Sequence, residues 1–160
     1  MKPQRIVWHH SGTNKVPYGY PEINIDHKKR GFPISKLGYY VGYHYVVAKN
    51  GHVMQCRLET ETGAHDAGEN LNSLGICLLG DFNTARPTEE QAATAAALVG
   101  ALRSRHNIPI SRIEPHRWDD STDCPGLLLP DNWLTHEYLR RETNPLFHLF
   151  YRIGILLDLI

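Results

Sequence analysis

Residues 74–106 read LGICLLGDFNTARPTEEQAATAAALVGALRSRH, a short apolar run followed by a long alanine-rich one. Residues 74–79 fit a buried strand, with Gly75 and Gly80 as its punctuation. After Pro87, Thr88 stands as an N-cap with Gln91 three residues on, the capping-box pattern that satisfies the first free N–H groups of a helix. Alanine favours helix from there to His106. A strand followed by a long helix points to a sheet covered by helices.

Working outward, residues 5–10 (RIVWHH) are short, branched and aromatic, and end at Ser11-Gly12, as a strand does where it leaves a sheet. His9 and His10 therefore sit near that strand's C-terminal end, on opposite faces. Residues 41–48 (VGYHYVVA) and 52–57 flank Asn50-Gly51, whose positive φ angles suit a hairpin turn. Alternation then puts Tyr43 and Tyr45 on one face and His44 on the other, as a structural residue. Residues 13–38 are irregular, with prolines at 17, 21 and 33. A short helix is predicted at 22–30 and a last one at 131–142. The expected architecture is an α/β single domain over residues 1–142, a mixed central β-sheet flanked by helices, followed by an apolar tail over 143–160.

The chain has 160 residues and carries 17 basic and 17 acidic side chains, so no broad field draws it to nucleic acid or to an anionic membrane. Cysteines 56, 77 and 124 are odd in number, and Cys77 lies inside an apolar run where a thiol acts as a small hydrophobe. A reducing compartment is the simpler reading. MKPQRIVWHH lacks the apolar centre of a signal peptide, so synthesis in the cytoplasm without a signal peptide is expected.

The stretch HRWDDSTDCPG, residues 116–126, sets His116 eight positions before Cys124, and Pro125-Gly126 ends the excursion. Zinc takes imidazole nitrogen and thiolate sulfur, and a catalytic site keeps three protein ligands and one open position. One early histidine with His116 and Cys124 would make such a set. On spacing alone, each histidine is equally readable as a packed or surface residue and the cysteine as a small core residue.

Four segments, IVWHHSGT, VGYHYVV, GAHDAGENLNSLGICLLGDF and HRWDDSTDCPG, stand in an order and spacing that resemble the zinc-dependent N-acetylmuramoyl-L-alanine amidases. This type 2 amidase family includes the peptidoglycan recognition proteins and small phage lysozymes of amidase type. The similarity runs from about residue 5 to about residue 140. It implies the amidase fold, with His9, His116 and Cys124 as zinc ligands and His10 as a neighbour outside the metal's reach. It also implies that Tyr43 lies beside the water that zinc would activate, whose pKa would fall toward roughly 7. His65 matches a position lining the substrate cleft, in reach of substrate or transition state. Asn70, Asn72 and Ser73 are read mainly as loop-closing hydrogen-bond residues, with Asn70 also a lesser substrate candidate. Where phage lysozymes of this type carry lysine two positions before the cysteine, this chain has Thr122, as recognition proteins do. Thr122 would hydrogen-bond the reacting carbonyl without bringing a cation to it.

The implied function is hydrolysis of the amide between the lactyl group of N-acetylmuramic acid and L-alanine, by a monomeric phage or prophage endolysin. It would act on wall peptidoglycan after release from the cytoplasm. A non-catalytic peptidoglycan-binding module is the alternative from another class, and such relatives commonly lack the cysteine or the tyrosine that stand here. A cytosolic amidase that recycles muropeptides is a further alternative. In the tail, apolar residues recur at helical spacing from Leu146 to Ile160, which fits a helix packed on the domain. Contact with a membrane or a second copy is its other reading.

Overall fold

Strand β1 (Arg5–His10) buries residues on both faces, and so it lies inside the sheet rather than at its edge. The computed structural model describes residues 1–143. The predicted tail, residues 144–160, lies outside the described residues. In the described chain β1 is followed by helix α1 (Tyr20–Lys29), the pair β2 (Tyr45–Val47) and β3 (Val53–Gln55), and strand β4 (Ser73–Leu78). Helix α2 (Glu89–His106), strand β5 (Ile113–Pro115) and helix α3 (Trp133–Glu142) complete it.

The sheet has five strands in the order β3-β2-β4-β1-β5. Strand β1 runs parallel to β4 and β5, β4 parallel to β2, and only the β2–β3 hairpin is antiparallel. This is the mixed α/β architecture expected. Strand β5 escaped the sequence reading because three residues, one of them a proline, make no periodic signal. Pro115 has no N–H to donate and is tolerated at the sheet edge that β5 forms.

Helix α2 begins at the expected cap: Thr88 accepts the Gln91 N–H, and Asn107 closes the far end at φ 56°. The reciprocal half of the capping box does not form. The Gln91 side chain is fully buried and donates instead to Val47 O at 2.9 Å and Leu79 O at 3.0 Å, pinning helix to sheet. Helix α1 starts at Tyr20, with Pro21 in its first turn and Glu22 accepting the Gly19 N–H at 2.7 Å.

The expected long hairpin is shortened, because residues 41–44 leave the β2–β3 ladder. Gly42 donates to His27 Nδ1 of α1 at 2.9 Å, and a Cβ on Gly42 would fall 2.1 Å from Ala64 O. Only glycine lets this segment lie so close to the loop carrying His65. The alternation argument therefore fails here. Tyr45 joins the core with Trp8 and Ile76, whereas Tyr43 packs against the opposite cluster of Ile23, Val41, Val46 and Cys77. His44 is structural, as expected: it is fully buried, accepts from Gly75 N–H at 3.0 Å through Nδ1, and sets Nε2 3.0 Å from Glu61 O.

Candidate metal centre

Parallel pairing of β1 with β5 sets Trp8 opposite Pro115, so the next residues, His9 and His116, leave the sheet side by side. Their ring centroids are 4.4 Å apart. A tight turn over residues 116–118 and the loop beyond it then return Cys124, whose Sγ lies 3.7 Å from His9 Nδ1. One ligand atom from each of His9, His116 and Cys124 lies within 4.8 Å of the others. Tetrahedral zinc with bonds of roughly 2.0–2.3 Å separates its ligands by about 3.3–3.8 Å, so a small closure suffices.

His116 Nδ1 is shielded from solvent and has no hydrogen-bond partner, which is costly unless an electron-pair acceptor sits there. Burial, together with His65, His116 and His10 nearby, holds the His9 pKa well below its ordinary value, and burial likewise lowers His116. Both imidazoles are thus neutral, as metal ligands must be. Burial pushes the Cys124 thiol up to about 12, so a thiolate there needs an adjacent cation. Cys124 is a free cysteine, as are the fully buried Cys56 and Cys77. The donor set fits a zinc ion.

His10 points away: its Nδ1 accepts from Phe82 N–H at 3.1 Å. His65 stands behind His9, Nδ1 to Nε2 at 3.1 Å, and its ring lies flat on β4 because Gly75 has no Cβ, which would sit 2.4 Å from it. Asn70 Oδ1 accepts the N–H groups of His65 at 2.8 Å and Asp66 at 3.1 Å, so this residue closes the loop that carries His65. Ser73 Oγ donates to Glu69 O at 2.7 Å in the same loop. Thr122 is exposed, and its Oγ1 accepts from Cys124 N–H at 3.2 Å, shaping the approach to the cysteine.

The Tyr43 ring centroid is 5.0 Å from that of His9, and burial raises its phenol pKa well above the ordinary value. It stays a protonated hydrogen-bond donor. Tyr43 also lines a cavity of about 420 Å³ with Ser11, Tyr18, Asp26, His27 and Arg30. The site thus joins His9, Tyr43, His65, His116 and Cys124, while Thr122 and Asn70 shape the loops around it.

Three contributors had not been singled out in the sequence. His27 anchors the segment bearing Tyr43, through Gly42. Asp120 Oδ2 lies 3.0 Å from His116 Nε2, and Asp66 Oδ1 lies 4.0 Å from the same atom. His116 with Asp66 and Asp120 forms a second cluster of possible metal-binding side chains among the described residues. A run such as HRWDD gives no sign of which carboxylate faces the ring, because residues 116–118 form a tight turn.

Residues 1–127 match the family model described as N-acetylmuramoyl-L-alanine amidase. The chain is 31% identical over 122 residues to peptidoglycan-recognition protein SC2 of Drosophila melanogaster, covering 75% of this chain and 66% of that one. It therefore spans just under two thirds of the fly protein's length. It is 29% identical over 129 residues to the endolysin of Escherichia phage T7, covering 78% of this chain and 80% of the endolysin. Among solved structures, the N-acetylmuramoyl-L-alanine amidase LysC from Clostridium intestinale superposes with a TM-score of 0.75 at 29% identity, over 87% of this chain and 86% of that chain. Sequence and fold agree with the motifs read from the residues, and the chain belongs to the N-acetylmuramoyl-L-alanine amidase family.

Proposed function

We propose that this protein is a zinc-dependent peptidoglycan amidase that cleaves the amide between the lactyl group of N-acetylmuramic acid and L-alanine, in the manner of a phage endolysin. The observation that carries the reading is the meeting of His9, His116 and Cys124 near Tyr43, a tyrosine that also lines a cavity of about 420 Å³. When bound, zinc supplies Lewis acidity and a water nucleophile at neutral pH. The protein's own part is to hold charge and protons where they are needed. His9 and His116 offer neutral nitrogens and Cys124 an anionic sulfur. Tyr43, protonated, donates a hydrogen bond to the oxygen on which charge develops. Thr122 offers a further hydroxyl there, His65 keeps the His9 ring in place, and Asn70 keeps His65 in its loop.

Recognition proteins among the relatives favour a second reading, wall binding without catalysis. Cys124 and Tyr43 argue against it, because a module that only binds has no need of a thiolate ligand or of a phenol beside it. The test is digestion of purified peptidoglycan, scored for new L-alanine amino termini and new reducing sugar ends, with chelator and after zinc repletion. New alanine termini that vanish with chelator and return with zinc support the amidase. Wall binding with neither product would make the protein a recognition module, and reducing ends would replace the amide with a glycosidic bond.

A further inference from the structure

The Asp66 side chain is wholly shut from solvent, yet neither of its carboxylate oxygens has a hydrogen-bond partner. A buried carboxylate in that condition is costly: burial and the neighbouring Asp119 push its pKa up to about 7, and a close donor would hold it ionised. Two stand just out of reach on opposite sides: Arg5 Nη2 is 3.9 Å from Oδ2, and His116 Nε2 is 4.0 Å from Oδ1. Arg5, itself 5% exposed, is held by Glu69 at 3.2 Å, by Glu114 at 2.7 Å and by Asp119. The Asp66 backbone is clamped by Asn70. Asp66 is therefore held through its backbone, with Asp119 beside its carboxyl group and Oδ1 facing His116.

If His116 gives its Nδ1 electron pair to a metal, the ring proton resides on Nε2 and needs an acceptor. Two carboxylates compete for it. Asp120 is nearer, at 3.0 Å, but its side chain is 44% exposed and lies four residues along a surface loop. A hydrogen bond there is screened by water and opens readily. Asp66 needs about 1 Å of closure to make the same bond inside the protein. There the bond is electrostatically stronger, and it would also settle the unpartnered carboxylate.

We propose that Asp66, braced by Arg5 of strand β1, is the carboxylate that orients His116 and raises its basicity toward the metal. Asp66 is thus a positioning residue acting through His116. The proposal rests on reading His9, His116 and Cys124 as the ligands.

The test compares Asp66→Asn with Asp120→Asn and Cys124→Ser in the full chain. Zinc affinity is measured by chelator competition, and ligand geometry by the visible spectrum of the cobalt(II) form. Loss of a carboxylate that orients a ligating histidine weakens metal binding by roughly 10- to 100-fold. Asp66→Asn is expected to show that loss and a shifted cobalt spectrum, Asp66→Glu to recover part of it, and Asp120→Asn to change affinity less than about threefold. Wild-type affinity and spectrum in Asp66→Asn, or a larger loss in Asp120→Asn, would overturn the proposal. So would a second equivalent of zinc that Asp66→Asn abolishes, since the carboxylates would then hold a cation of their own. If Cys124→Ser leaves zinc binding intact, it is the ligand reading that fails. A measurement on the unaltered, zinc-loaded protein guards against misfolded variants. In long-range ¹H–¹⁵N spectra the His116 Nε2 proton is expected to be protected from exchange. A proton exchanging as fast as a surface imidazole would place it on Asp120.

Discussion

On one face of the sheet, Ile6, Trp8, Leu74, Ile76 and Leu78 pack against Ala92, Val99 and Leu102 of α2 and Trp133 and Leu134 of α3, all buried. On the other face the buried apolar cluster is small, Ile23, Val41, Val46, Cys56, Cys77 and Leu79, and among the described residues the ten-residue α1 and neighbouring loops cover it. That second face carries His9, Tyr43, a cavity and ring nitrogens without partners. Burial on the first face supplies the bulk of the hydrophobic stabilisation. At the candidate site, His65 Nε2 and His116 Nδ1 are buried without a hydrogen-bond partner. The difference shows how a small domain separates holding its shape from doing chemistry.

Four experiments would break or sharpen that division. Cys124→Ser should have the largest effect: zinc affinity falls by several orders of magnitude, because a hydroxyl is a poor ligand beside a thiolate. Far-ultraviolet circular dichroism should nonetheless show the same fold. Unchanged zinc content in the purified variant would remove Cys124 from the centre. Tyr43→Phe should keep the ion and lose turnover by roughly 10²- to 10³-fold, the scale for one donor to a developing oxyanion. Full activity on purified peptidoglycan would make Tyr43 a packing residue of its face.

Leu102→Ala cuts into the packed face at a fully buried position, and about 2–5 kcal/mol of stability should go with it. Zinc affinity of the folded fraction should not change. A denaturant titration measures the first and chelator competition the second, and a coupled loss would mean that the faces are not independent. The smallest effect concerns Glu59, which joins Tyr45, Arg105 and His106 on the packed side. Burial works to raise its carboxyl pKa, but those hydrogen bonds and cations outweigh it and hold the group below 4.5. A folded pKa below the unfolded one stabilises above the unfolded value, and that contribution fades as pH falls through the folded value. Glu59→Gln should therefore cost about 1–2 kcal/mol at pH 7 and nothing at strongly acid pH. Parallel stability curves at all pH values would contradict this.

The packed face was the more legible in the sequence. Alanine in α2, the Thr88 cap and the apolar run of β4 are local patterns, and each reports its own conformation. At the site, the three metal-binding candidates were legible through the resemblance of four segments to a family, because spacing alone left each readable as a packed or surface residue. What surrounds them was not. Tyr43 left the expected alternation because His27, 15 residues earlier, captures the Gly42 N–H. Asp66 faces His116 only because β1, β5 and a clamped loop converge, and no pattern within GAHDAGEN announces it. The Asn70 side chain, read mainly as a loop-closing group, holds that loop through two backbone N–H groups.

His9 and Cys124 stand 115 positions apart, and β5, which delivers His116, is the last strand added to the sheet. The candidate ligand set is therefore completed only after strands β1 to β4 and helix α2 have been synthesised. A chain cut short before Cys124 would lose both the third member of the candidate ligand set and helix α3, whose Trp133 and Leu134 belong to the main core.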